Sequence, residues 1–201
     1  MMQRQSAAVW LLLLLLIGVP LLGAAPPAAA APAAPQAELI TNGGFDAGAT
    51  GWTQYSSAGS TLIGAYCPGT RTNCAWFGAK NNTEDRLSQK ITIPAGVSAR
   101  LSFWWTLETD ELGTAADTFR VNLLNSTGGL IRTLATFDNS TLDEYTWDNP
   151  VFDISSYAGQ TVQVQFVGKT DAINASSFWL DDVSVQTGGA YKKTRLPYIR
   201  R

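Results

Sequence analysis

Short stretches in which apolar and polar residues alternate dominate the middle of this chain. Leu101-Ser102-Phe103-Trp104-Trp105-Thr106-Leu107 places Leu101, Phe103, Trp105 and Leu107 on one parity. Thr118-Phe119-Arg120-Val121-Asn122-Leu123 does the same with Phe119, Val121 and Leu123. Thr161-Val162-Gln163-Val164-Gln165-Phe166 repeats the pattern with Val162, Val164 and Phe166, while Arg120, Asn122, Gln163 and Gln165 take the opposite parity. A period of two predicts strands with one buried and one wetted face, the habit of antiparallel sheets. Turn signals separate the runs: Asn81-Asn82, Pro94-Ala95-Gly96 and Ser126-Thr127-Gly128-Gly129. No long stretch of this region has a helical period, and no internal repeat is visible. Many short strands at such spacing predict an all-β, two-sheet antiparallel sandwich.

The ends follow other patterns. Residues 1–25 combine Arg4 with an apolar run from Ala7 to Leu22, including six consecutive leucines, the layout of a secretory signal peptide. The run is short for a membrane span; an uncleaved anchor is the alternative. Residues 26–37 are almost all Ala and Pro, a semi-rigid linker. Residues 38–189 form the sandwich, and residues 190–201 a basic tail after the Gly188-Gly189 hinge. Export makes a secreted, extracellular or cell-surface location the expectation. It also makes oxidation of Cys67 and Cys74, in C-P-G-T-R-T-N-C, into a disulfide the expected outcome.

Charge changes the picture further. All 16 acidic residues lie between Glu38 and Asp182; of 14 basic residues one is in the leader and five are in the last ten, leaving eight in the domain for a net of −8. An acidic domain is a poor nucleic-acid binder and a reasonable host for a divalent cation. The tail carries the charge to meet an anionic envelope component. The chain contains no His. That removes Ser-His-Asp and Cys-His catalysis and leaves zinc without ligands. The expectation is a binding protein, not an enzyme.

Two stretches at opposite ends of the domain carry a resemblance. E-L-I-T-N-G-G-F-D-A-G-A-T-G-W (38–52) and F-W-L-D-D-V-S-V (178–185) resemble the jelly-roll carbohydrate-binding modules of the galactose-binding-like superfamily. V-F-D-I-S-S-Y-A-G-Q-T-V-Q-V-Q-F (151–166) is similar to the accessory sandwich of secreted immune-inhibitor-A-type metallopeptidases and to MAM-like domains. The resemblance implies a structural calcium tying the first strand to the last. Its ligands would be Gly44, Asn73 and Asp181, the first Asp of Asp-Asp-Val, with Asp46 as an addition. Calcium takes oxygen ligands, and an inward carboxylate needs a partner. Asp181 shares parity with Val183 and Val185, so simple alternation turns it inward; a bulge would reverse this. A metal-free, solvated sheet edge is the other reading of the Asp pair.

A polysaccharide or cell-surface glycan is the expected ligand, held by aromatic faces and by amides or carboxylates for hydroxyls. Parity puts Trp52 and Trp105 in the core. Trp147 belongs at the sandwich edge. Trp104, on the outer parity, is the leading platform, with Tyr66, Trp76 and Trp179 behind it. The acidic stretch Thr106–Asp117, containing Glu108, Asp110, Glu111 and Asp117, reads as a loop that could line the site or hold a second cation. An adhesion domain of the same fold with a protein partner is the alternative function.

Overall fold

The computed structural model describes residues 36–111 and 116–188. The leader, nearly all of the linker and the basic tail lie outside the described residues. Eleven strands occur among them: β1 Ala37–Glu38, β2 Thr53–Ser56, β3 Ile63–Gly64, β4 Cys74–Phe77, β5 Glu84–Thr92, β6 Ala99–Glu108, β7 Thr118–Asn125, β8 Leu130–Asp138, β9 Val151–Asp153, β10 Thr161–Lys169 and β11 Ser177–Thr187. One turn of 3-10 helix, Ser155–Tyr157, joins β9 towards β10. No described helix is long and apolar enough to cross a membrane.

The strands form two sheets with every pairing antiparallel. Sheet I runs β3-β4-β11-β6-β9, with β1 also on β11; sheet II runs β2-β5-β10-β7-β8. This is the two-sheet antiparallel sandwich that the alternation predicts, with the jelly-roll form that the resemblance implies. The three parity sets assigned to the interior (Leu101/Phe103/Trp105/Leu107, Phe119/Val121/Leu123 and Val162/Val164/Phe166) are all fully buried in one core. Phe119 stacks on Phe166 and Phe178, and Trp105 stacks on Phe137 at 4.4 Å. Rings of this size contribute about 0.5–1.5 kcal/mol per pair beyond the area they bury.

The first and last segments are stitched together. Leu39 N–H donates to Val185 O, and Val183 N–H donates to Gly43 O at 3.0 Å. Gly43 is needed there, because a Cβ at that position would lie 1.9 Å from Val183 O. Glu38 accepts from the Val185 and Ile40 backbone amides and from the Ser184 hydroxyl.

Strand β11 carries the main departure from simple alternation. Phe178 and Leu180 face the core, and so do Val183 and Val185. Both sets cannot lie on one face of a regular strand. The register against β6 shifts between Asp181 and Ser184, a bulge, and Asp182 takes a left-handed backbone with φ 48°. Asp181 therefore stays on the same face as Trp179, turned away from the core rather than towards it. The extra residue is what allows it.

Candidate functional site

The outer face of sheet I gathers most of the residues that the sequence singles out. Register places Trp76 (β4) beside Trp179 (β11) and Trp179 beside Thr106 (β6); one step along, Asp181 faces Trp104. All five sit opposite the core parity. Trp76 and Trp179 lie parallel, 7° between planes and 6.1 Å between centroids. Tyr66 packs on Trp76 at 5.6 Å and Tyr145 on Trp179 at 6.1 Å. The strip thus runs Tyr66–Trp76–Trp179–Tyr145. Its two tyrosines are exposed, Trp76 is half-buried and Trp179 is covered by its neighbours.

Local structure explains how the strip is assembled. Tyr66 precedes Cys67, and the Cys67–Cys74 disulfide closes the loop onto β4. Gly64 leaves room for the phenol ring; a Cβ there would lie 2.6 Å from it. Tyr145 has a left-handed backbone (φ 57°) and donates its N–H to Leu107 O. That conformation is rare for a bulky residue. Glu108 accepts a hydrogen bond from the Tyr145 phenol, which, with burial and the charges of Glu108, Glu144 and Asp110, pushes its pKa up to about 12. The phenol is therefore a neutral donor at an acidic rim. Beneath it, the indole N–H of Trp76, that of Trp179 and the Thr106 hydroxyl are buried with no hydrogen-bond partner among the described residues. Buried polar groups are rarely left so.

Trp104 lies elsewhere on the face, beside Arg71. It is half-buried, and the Arg71 guanidinium stands 5.6 Å from its ring and 4.4 Å from that of Trp147. Arg71 comes from the disulfide loop and pairs with both carboxylates of the Asp181-Asp182 pair in β11, that of Asp182 at 2.7 Å. Asp181 is buried, and burial is the main force raising its carboxyl to about 6; the Arg71 hydrogen bond opposes this and the Asp182 charge adds to it. Arg71 so supplies the positive charge that the sequence reading assigns to calcium. Of the expected metal ligands, Gly44 faces Asp182 instead, whose Oδ1 is 3.4 Å from where a Gly44 Cβ would stand. Asp46 Oδ2 is 3.8 Å from the same point. Asn73 is half-buried in the Arg71 loop.

A different acidic group could hold a metal ion. One carboxylate oxygen each from Glu111, Asp117 and Asp171 come within 4.8 Å of one another. Asp117 is fully buried and accepts from the backbone N–H groups of Asp171 and Ser176. An all-oxygen donor set suits a hard cation. Glu111 and Asp117 belong to the acidic stretch read as a loop; its first three residues, to Glu108, continue β6, and the loop proper follows. Asp171 carries no sequence signal, since only folding brings the β10–β11 connection against that loop. Tyr145 is equally silent. Arg71 did leave one: it is the sole basic residue between the two cysteines.

No family model matches the chain. The pre-pro-metalloprotease PrtV of Vibrio cholerae is 26% identical over 127 residues, covering 54% of this chain and 12% of that protein. The chain thus corresponds to a small part of its curated relative. Among solved structures, a family 61 carbohydrate-binding module in complex with β-1,4-galactotriose superposes with a TM-score of 0.55 at 16% identity, over 74% of this chain and 97% of the module. The K3 cleaved adhesin domain of Lys-gingipain from Porphyromonas gingivalis W83 gives 0.52 at 17% identity, over 74% and 98%. A Stig cyclase from Fischerella sp. TAU gives 0.51 at 15% identity, over 76% and 98%. The jelly roll is common to all three, and one fold serves binding and catalysis alike.

Proposed function

We propose that this chain is a secreted, non-catalytic carbohydrate-binding module whose ligand lies along Tyr66–Trp76–Trp179–Tyr145. The observation that carries the reading is a parallel tryptophan pair, flanked by two exposed tyrosines, on the outer side of a sheet where no core calls for rings. Sugar rings stack their apolar faces on such strips. Glu108 and the Tyr145 hydroxyl at the rim serve sugar hydroxyls. The left-handed backbone of Tyr145 is retained strain, which clusters at ligand sites. Two of the superposed structures are a galactotriose-binding module and an adhesin domain, so a neutral galactose-containing glycan is the first ligand to test.

Calcium is the proposed resident cation, held by Glu111, Asp117 and Asp171 as a structural staple between the β6–β7 and β10–β11 connections. Around Asp181 the Arg71 guanidinium pairs with both carboxylates, which favours the Glu111–Asp117–Asp171 group as the cation site. The leader pattern and the disulfide support an extracellular location.

A glycan array with the wild-type chain and Trp76→Ala tests the ligand. Binding of a neutral glycan that Trp76→Ala abolishes supports the reading. Absence of any glycan binding, or binding indifferent to Trp76, would turn it towards the protein-binding adhesion alternative. For calcium, melting with and without chelator is decisive: a specific cation raises Tm by mass action, and an Asp117→Asn variant should lose that rise.

A further inference from the structure

The outer face of sheet II is chemically the reverse of the strip. Its outward positions form registered rows across the strands. One row reads Tyr55–Arg86–Val167–Arg120–Thr136, and the next Ser88–Gln165–Asn122–Thr133. Lys169 pairs with Glu84 at one end, and Lys90 with Gln163 at the other. Residues of these rows line a groove of about 320 Å³. Four of the eight basic residues of the domain thus stand on one face, three of them lining the groove, with Glu84 beside them and Asp138 at the far end of the Lys169 row, although the domain as a whole carries −8.

Glu84 is committed to Arg86, and Arg86 lies over the Tyr55 ring at 5.2 Å. Arg120, Lys169 and Lys90 have no ion pair or hydrogen bond among the described residues. Between the charges runs a row of amides held in fixed orientation. Thr133 Oγ1 donates to Asn122 Oδ1 at 2.9 Å, and Asn122 Nδ2 donates to Gln165 Oε1 at 3.2 Å, leaving the Gln165 amide nitrogen as an outward donor. Arg86 and Arg120 flank Val167 two strands apart, about 9–10 Å by the usual strand spacing.

We propose that this groove is a second binding surface, selective for a carboxylate-bearing polysaccharide. Spaced cations meet spaced carboxylates, with Arg120 offering a planar fork for one of them. The amide and hydroxyl row meets sugar hydroxyls. A nucleic acid fits worse on both counts. Its dense phosphates face a domain of net negative charge, and no aromatic residue lines the groove for bases to stack on. The surface is separate from the aromatic strip and opposite in charge, so neither depends on the other.

Affinity electrophoresis of the full chain through polygalacturonate and, in parallel, through neutral β-1,4-galactan tests it. Polygalacturonate should retard the wild type, less so as salt rises. The pair Arg120→Glu with Lys169→Glu should lose at least tenfold in affinity with unchanged Tm, and Trp76→Ala should lose none. The double variant retains the basic tail, so retardation that survives in it would assign the effect to the tail and overturn the proposal. So would equal binding of duplex DNA or of phosphatidylserine vesicles, or no retardation of the wild type.

Discussion

The two outward faces of this sandwich are built by the same alternation, yet they stand in different relations to the fold. On sheet I the outward residues are rings and a buried carboxylate, and they need further chain to complete them. The disulfide loop brings Tyr66 and Arg71, and the connection after β8 brings Tyr145 and Trp147. On sheet II the outward cations are exposed, the amides between them are half-buried, and no second layer of rings is packed over them. A face that packs a second layer is part of the stability of the domain. A face that meets only water is free to vary with its ligand.

Truncation should expose that difference most strongly. Trp179→Ala removes a buried ring and should cost about 3–5 kcal/mol in urea unfolding, whereas Gln165→Ala on the opposite face should stay within about 0.5 kcal/mol. Equal losses would dissolve the contrast.

Arg71→Ala comes next. It strands Asp181 buried and without its cation, and should destabilise by about 3 kcal/mol at pH 8. The sign with pH follows from the raised carboxyl. Asp181 titrates near 6 in the fold against 3.8 in the free side chain. Between about pH 4 and 6 the folded state then holds more protons than the unfolded, and the contribution of Asp181 to stability falls as pH rises through that window. In Arg71→Ala the loss should be full at pH 8 and shrink as Asp181 protonates, an effect that denaturation at pH 4 and pH 8 would resolve. A loss independent of pH would mean that Arg71 acts through its contacts with Trp104 and Trp147 alone.

Opening the disulfide with paired Cys67→Ser and Cys74→Ser should cost about 2 kcal/mol by loop entropy. The same change should weaken glycan binding on sheet I, because Tyr66 loses its tether, and leave polygalacturonate binding on sheet II unchanged. At the small end, Arg120→Ala should move Tm little while reducing the anionic ligand alone, the behaviour of an exposed side chain without structural partners.

Much of the fold was legible in the chain. Interior parity sets, turn positions and the two-sheet sandwich follow from local rules, because a strand reports its two faces in its own residues; the jelly-roll class came from the resemblance of residues 38–52 and 178–185. Part of the site was legible as composition: Tyr66, Trp76, Trp179 and Glu108 can each be picked out as candidates, and folding brings them to one face. Trp104 shows the limit. Outer parity says that a ring leaves the core, but not whether something else covers it, and here Arg71 does. Asp181 shows a second limit, since a single inserted residue in β11 reverses the facing that alternation implies.

What the sequence determined by itself is the inward and outward positions of the regular runs in β6, β7 and β10, since side-chain direction along an unbroken strand has a period of two and needs no distant partner. Which outward residues meet, and which are capped, was decided by tertiary structure. Strand order sets Trp76 beside Trp179, and the Cys67–Cys74 loop carries Arg71 across to a carboxylate 110 residues away. Those contacts depend on chain closure over long separations, and no local period encodes them.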